Sequence, residues 1–150
     1  MTKGFTYLEK GNYTNAITFF EDILKDYPDD KTVQLCYGRA IGLSGDAQNA
    51  KAIFTDLLKQ YPNDFEIALN YAESLLWDND FDLAKPYYEN LIAKNNQSFH
   101  ALLGYANTLS NLKLYEGALT FVNKALAVSE GNPRYLAKIG HGSCCYIYSV

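Results

Sequence analysis

Residues 47–62 read Ala47-Gln48-Asn49-Ala50-Lys51-Ala52-Ile53-Phe54-Thr55-Asp56-Leu57-Leu58-Lys59-Gln60-Tyr61-Pro62. Ala50, Ile53, Phe54, Leu57 and Leu58 fall at i, i+3, i+4, i+7 and i+8, which places them on one face of an α-helix. The pattern returns along the chain. Ala16, Ala50, Ala84 and Ala118 are each separated by 34 residues. Four residues after each stands a large apolar residue: Phe20, Phe54, Tyr88, Val122. Eight residues after come Leu24, Leu58, Ile92 and Leu126; twelve before come the small residues Gly4, Gly38, Ala72 and Ala106. A fixed period of this length predicts a repeat solenoid, in which each unit buries its apolar face only against its neighbours. Such folds offer an extended concave surface to a partner.

The residues resemble the tetratricopeptide repeat family. The unit from Lys31 to Asp64 carries Gly38, Gly45-Asp46, Ala50, Phe54 and Pro62 at the family's marked positions. The first unit keeps Gly4, Tyr7, Gly11-Asn12-Tyr13, Ala16, Phe20 and Pro28. The third keeps Ala72, Phe81, Ala84 and Tyr88, with Asn96 in place of the usual proline; the fourth keeps Ala106, Tyr115, Ala118 and Ala125, with Glu130 there. The resemblance implies an all-α fold: a right-handed superhelix, or solenoid, of antiparallel helix pairs in about four units. The expected units are residues 1–30, 31–64, 65–98 and 99–132, with a partial fifth at 133–140. Together they make a solenoid over 1–140, followed by an irregular tail at 141–150.

Helices are expected at 4–10, 14–27, 31–43, 47–60, 65–78, 81–94, 99–111 and 115–128, with a last half-unit at 133–139. Asp30, Asp64, Ser98 and Asn132 each precede the first helix of a unit, and all four residue types accept orphan backbone N–H bonds at a helix start. Asn132-Pro133 adds a proline just inside that start. Gly11-Asn12, Gly45-Asp46 and Asn79-Asp80 supply the turn within a unit; Lys113-Leu114 departs from that chemistry. Pro86 lies past the first turn of its helix and predicts a kink there, or a helix starting late near Ala84.

The composition narrows the function classes. The chain has 150 residues, is 48% hydrophobic and carries a net charge of −4. An acidic chain without a basic cluster is a poor ligand for nucleic acid. No apolar run reaches transmembrane length, and Met1-Thr2-Lys3-Gly4 shows no secretory h-region, so a cytoplasmic location is expected. Cys36 lies in a helical pattern and reads as a small core residue.

Little in the chain points to chemistry. Asp78, Asn79, Asp80, Asp82 and Glu89 imitate a calcium-loop register, but Leu83 stands where the sharp turn needs glycine. His141, Cys144 and Cys145 lack an evident fourth ligand, and adjacent cysteines seldom close on one zinc. His100 reads as a solvated or lightly packed residue. No carboxylate pair sits beside a histidine or serine at a catalytic spacing. The expectation is therefore no enzyme, no cofactor and no metal, and a protein or peptide as partner.

In the resembled family, the first helix of each unit lines the concave groove. That carries over to Leu35, Leu69 and Leu103 as an apolar ladder, and to Arg39, Glu73 and Asn107 as a mixed polar row. It also places Leu43 and Trp77 at one register and Glu66 at another. Trp77, the only tryptophan, has the character of an interface anchor. The competing expectation is that the leucines and Trp77 pack between neighbouring helices. The lysine–arginine clamp of chaperone-binding members is missing, since leucine stands at its lysine position. Besides a free-standing scaffold, the residues fit a recruiting or regulatory module of a larger enzyme or secretion machine. They also fit a solenoid that associates with a second copy through its end units.

Overall fold

The computed structural model describes residues 2–129 of the chain. These form eight helices: α1 (Thr2–Glu9), α2 (Tyr13–Asp26), α3 (Lys31–Leu43), α4 (Ala47–Gln60), α5 (Phe65–Trp77), α6 (Phe81–Lys94), α7 (Phe99–Asn111) and α8 (Tyr115–Ser129). The helices expected within these residues all appear, with ends shifted by no more than a few residues. The partial fifth unit and the 141–150 tail lie outside the described residues.

Each helix packs on the next, and the first helices of successive units also touch, α3 on α5 and α5 on α7. This is the contact pattern of an all-α solenoid. Ala16, Ala50, Ala84 and Ala118 are all buried, so the residues that set the period are those at which helices cross. Gly38 shows why the crossings need small residues. A Cβ there would stand 2.8 Å from the Phe54 ring, too close without a shift of one helix.

The turn inside each unit repeats as strictly as the alanines. Gly11, Gly45, Asn79 and Lys113 all have positive φ, at 72°, 112°, 60° and 64°. In each unit the amide after this residue donates to a carbonyl five residues back: Asn12 to Tyr7, Asp46 to Ile41, Asp80 to Leu75 and Leu114 to Leu109. This is the bonding of a helix ending in a left-handed residue. Lys113-Leu114 therefore makes the same turn as the other three despite its unusual residues. Asn12 and Asp46 cap α2 and α4 by accepting from the amides of Asn15 and Asn49. Asp30, Asp64 and Ser98 cap the first helices α3, α5 and α7.

Of the two outcomes expected at Pro86, a kink or a late start, the late start does not occur. α6 starts in phase at Phe81 and runs through the proline to Lys94, so the helix does not start late. Proline removes its amide donor and crowds the carbonyl four residues back, and the buried Ala84 and Tyr88 on either side anchor the helix.

The joints between units alternate. At the joint of units one and two, Tyr37 donates its hydroxyl to Glu21 at 3.0 Å. At the joint of units three and four, Tyr105 donates to Glu89 at 2.7 Å. At the middle joint Thr55 holds the glutamate position and offers no carboxylate to Tyr71, whose ring packs instead inside its own unit on Tyr87 of α6, at 5.1 Å between ring centroids. That joint is tied instead by ion pairs of Lys31 with Asp64, Arg39 with Glu73 and Lys51 with Asp78.

The fourth turn yields a direct prediction. Lys113 holds a left-handed conformation that disfavours side chains, and Leu114 occupies a cap position without an acceptor. Lys113→Gly should add about 0.5–1 kcal/mol of stability, and Leu114→Asp about 1 kcal/mol. Chemical denaturation of each variant checks this.

Candidate partner-binding face

The face predicted to line the groove is built from the first helices α3, α5 and α7, and its residues have diverged in role. Leu35 and Leu69 are buried at 0% and 5% exposure. Leu35 packs with Ala50, Phe54, Leu57 and Ile67, and Leu69 belongs to the cluster of Leu75, Tyr88 and Tyr105. The apolar ladder expected along the floor is thus, at these two positions, a packing row with no surface for a partner. Its third member, Leu103, is half-buried against Phe99, Leu102 and Ala125. Leu43, Glu66, Glu73 and Trp77 are half-buried, and Asn107 is exposed.

Arg39 is the largest departure from the sequence-based picture. It was expected to face a partner, yet its side chain is 1% exposed. Its guanidinium is held from two sides by α5. Nη2 donates to Glu73 Oε1 at 2.7 Å, and Nη1 reaches Glu73 Oε2 and Asn70 Oδ1, the latter at 3.0 Å. The pair is a bidentate fork, the strongest geometry available to an arginine and a carboxylate. The indole of Trp77 lies beside the guanidinium carbon, 5.4 Å from ring centroid to carbon. Arg39, Glu73 and Trp77 are therefore brought together as one joint between α3 and α5.

Two residues that complete this joint escaped the sequence reading. Asn70 is fully buried; it accepts from Arg39 and donates its own amide to the Glu66 carbonyl at 2.9 Å. The signal was a polar amide at the phase of Cys36 and Gly104, the residues of the two neighbouring units. Gly42 is the seat of Trp77. A Cβ at this glycine would overlap the indole, so the ring lies directly on the α3 backbone. A glycine three residues before the turn glycine was the available clue.

His100, at the start of α7, feels the same charges. Its pKa is lowered from 6.5 to about 4, first by burial and further by the Arg39 charge, with Glu73 opposing. It is a neutral, packed imidazole near neutral pH. Two of the acids that imitated a calcium loop are engaged elsewhere: Asp78 accepts from Gln48 and Lys51, and Glu89 from Lys85 and Tyr105. No group of three or more metal-binding side chains is assembled among the described residues. Among them, too, no helix is long and apolar enough to cross a membrane.

A buried arginine with one carboxylate partner makes an asymmetric prediction. Glu73→Ala strands the Arg39 charge and should cost about 3 kcal/mol. The double replacement Arg39→Met/Glu73→Leu removes both charges and should cost clearly less than Glu73→Ala alone. Urea denaturation of the parent and both variants gives the comparison.

The fold has recognisable kin. "MamA 41-end from Desulfovibrio magneticus RS-1" superposes with a TM-score of 0.66 at 21% identity, covering 89% of this chain and 76% of that one. TTC0263, described as a thermophilic TPR protein in Thermus thermophilus, gives 0.78 at 18% identity, covering 91% and 80%. A double mutant of MamA RS-1 gives 0.65 at 19% identity, covering 99% and 88%. At these identities the likeness is one of fold. No functionally curated protein matches the chain in sequence. Two tetratricopeptide repeat profiles do match, one over residues 43–85 and 75–140 and another over residues 2–30. The first alone covers more than half of the sequence. The chain belongs to the tetratricopeptide repeat family.

Proposed function

We propose that the protein is a non-catalytic scaffold that holds a segment of a partner protein or peptide on the face formed by α3, α5 and α7. The observation that carries this reading is a row of side chains left partly open in register on those helices. Leu43 and Trp77 stand at one register with the exposed Asn111, and Leu103 and Asn107 stand on α7 below it. Glu66 and Glu73 edge the same face. Arg39, Leu35 and Leu69 act beneath it, holding the helices at the spacing the face requires. Rigid placement of a few half-open apolar groups beside polar ones is what peptide recognition needs, since most binding energy comes from a few anchors in a dry centre.

The partner that fits is an extended or helical peptide with apolar anchors. Arg39 spends its charge on Glu73, so it is not available to grip a terminal carboxylate. The chemistry needed for catalysis is not part of this reading. His100 is neutral and packed, and the nearby carboxylate of Glu73 is committed to the guanidinium.

The test is a selection of ligands from a random peptide library, followed by affinity measurement on variants. Asn111→Arg alters the open register on α7 at an exposed site and should weaken the selected ligands about tenfold or more, the cost of losing one good contact. Ala52→Arg, exposed on the second helix of its unit, should leave them unchanged. Ligands that respond to Ala52→Arg but not to Asn111→Arg would place the binding surface on the other face.

A further inference from the structure

The second unit lacks a ring that the other three have. Phe19, Ile53, Tyr87 and Phe121 share one phase of the repeat. Phe19 packs on Tyr7 at 6.4 Å, Tyr87 on Tyr71 at 5.1 Å and Phe121 on Tyr105 at 4.6 Å between ring centroids. Tyr37 stands at the phase of Tyr71 and Tyr105, yet its unit offers Ile53 in place of the second ring. Beside these two residues lies a groove of about 300 Å³, lined also by Leu24 of α2, Gln34 of α3, and Leu57 and Gln60 of α4. A cavity of about 150 Å³ is enough to hold a benzene ring. The groove shares no residue with the face proposed above for the partner segment. Its rim is acidic. Asp56 lines it and is 69% exposed, and Glu21 accepts the Tyr37 hydroxyl at its edge. Lys59 pairs with Asp56, whereas Glu21 is met by a neutral hydroxyl, so the rim keeps a net negative charge.

The chain itself carries a side chain of the matching kind. Among the described residues three aromatic side chains are exposed: Tyr27, Tyr61 and Tyr115. Tyr27 stands between Asp26 and Asp29, which the acidic rim would repel. The Tyr61 ring is covered by the Lys31 ammonium, 5.4 Å from its centroid. Tyr115 is 63% exposed and follows Leu114, 47% exposed, and the exposed cation Lys113. The same segment breaks the chemistry of its turn. Lys113 holds a φ of 64° where the first two units place glycine, and Leu114 stands where Asn12 and Asp46 cap a helix. Residues that lower the stability of one copy of a repeated motif are expected where they serve a contact.

We propose that the fourth turn of one copy docks in the α2–α3–α4 groove of a second copy. The Tyr115 ring takes the place beside Tyr37 that an aromatic residue fills in the other units, Leu114 covers the apolar edge, and Lys113 meets the acidic rim. An aromatic anchor in a pocket, bordered by opposite charges, is the arrangement that gives an interface both energy and register. Turn and groove lie on different units, so the contact is heterologous. Each copy in a pair keeps one free turn or one free groove, and growth continues with concentration.

Sedimentation velocity of the full 150-residue chain in reducing buffer tests this. The average mass of the parent should rise at least about twofold between about 10 µM and about 1 mM. Leu114→Asp and Tyr115→Ser should remain monomeric. Leu114→Asp is expected to be more stable than the parent, so its loss of association cannot be read as unfolding. Ile53→Phe fills the groove from within and should also remain monomeric. An equimolar mixture of Tyr115→Ser and Ile53→Phe has one intact groove and one intact turn, and its mass should stop at a dimer. If Ile53→Phe does not fold, Asp56→Lys, a charge reversal at an exposed site, takes its place and should weaken association about tenfold. A parent chain still monomeric at about 1 mM overturns the proposal and leaves the groove to an aromatic side chain of another protein. Association that survives in Leu114→Asp, Tyr115→Ser and the groove variant overturns it as well, because another surface then joins the copies. A mixture that stays monomeric does the same.

Discussion

Every part of this structure depends on how closely two helices can approach at a small residue. The helices of one unit are short, and none could bury its apolar face alone. Ala50 and Gly38 let α3 and α4 come together until Phe54 fills the space between them. The next unit then lies against Phe54 and Leu57 through Ile67. Because the same crossing recurs every 34 residues, the units stack in register, and their first helices align into one face. The face exists because the crossings are tight, before any residue on it is chosen for a partner.

Within that frame the joints are specialised. The outer two described joints use a tyrosine hydroxyl on a glutamate, which ties the edges of neighbouring units near solvent. The middle joint has no such bond, since Thr55 stands where the glutamate would be, and it places an arginine in its interior. A buried guanidinium is costly to desolvate, and its fork of bonds to Glu73, the Asn70 acceptor and the Trp77 ring offset that cost only when all are in place. All of these contacts run between α3 and α5, so they favour the register that keeps them. A partner seated across this joint would find its anchors at fixed spacing, which lowers the ordering cost of binding.

Much of this was legible in the sequence. The alanine period, the caps at Asp30, Asp64 and Ser98, and the turn at Gly11, Gly45 and Asn79 are local signals, each repeated, and repetition makes weak signals strong. The fourth turn was not legible because Lys113-Leu114 lacks turn chemistry; the packing of α7 on α8 imposes the conformation that residue preference would not select. The face was less legible than the fold. Family position assigned Leu35, Arg39 and Leu69 to an open groove, and the structure buries all three. Whether a side chain at such a position reaches solvent depends on its neighbours one unit away, here Ile67 for Leu35 and Glu73 with Trp77 for Arg39. Periodicity gives the phase of a residue and says nothing of the size of what stands opposite. Asn70 and Gly42 were missed for the same reason: their importance lies in what another unit places against them.

The most direct measurement of the central claim is equilibrium unfolding of Ala50→Leu beside Ala52→Leu. The two positions are neighbours on α4, equal in helix propensity, and differ in phase: Ala50 is wholly buried at the crossing and Ala52 is exposed. The account predicts a loss of about 1–3 kcal/mol for Ala50→Leu and a change within about 0.5 kcal/mol for Ala52→Leu. Equal losses at both positions would contradict it, because the 34-residue phase would then not mark where the helices meet.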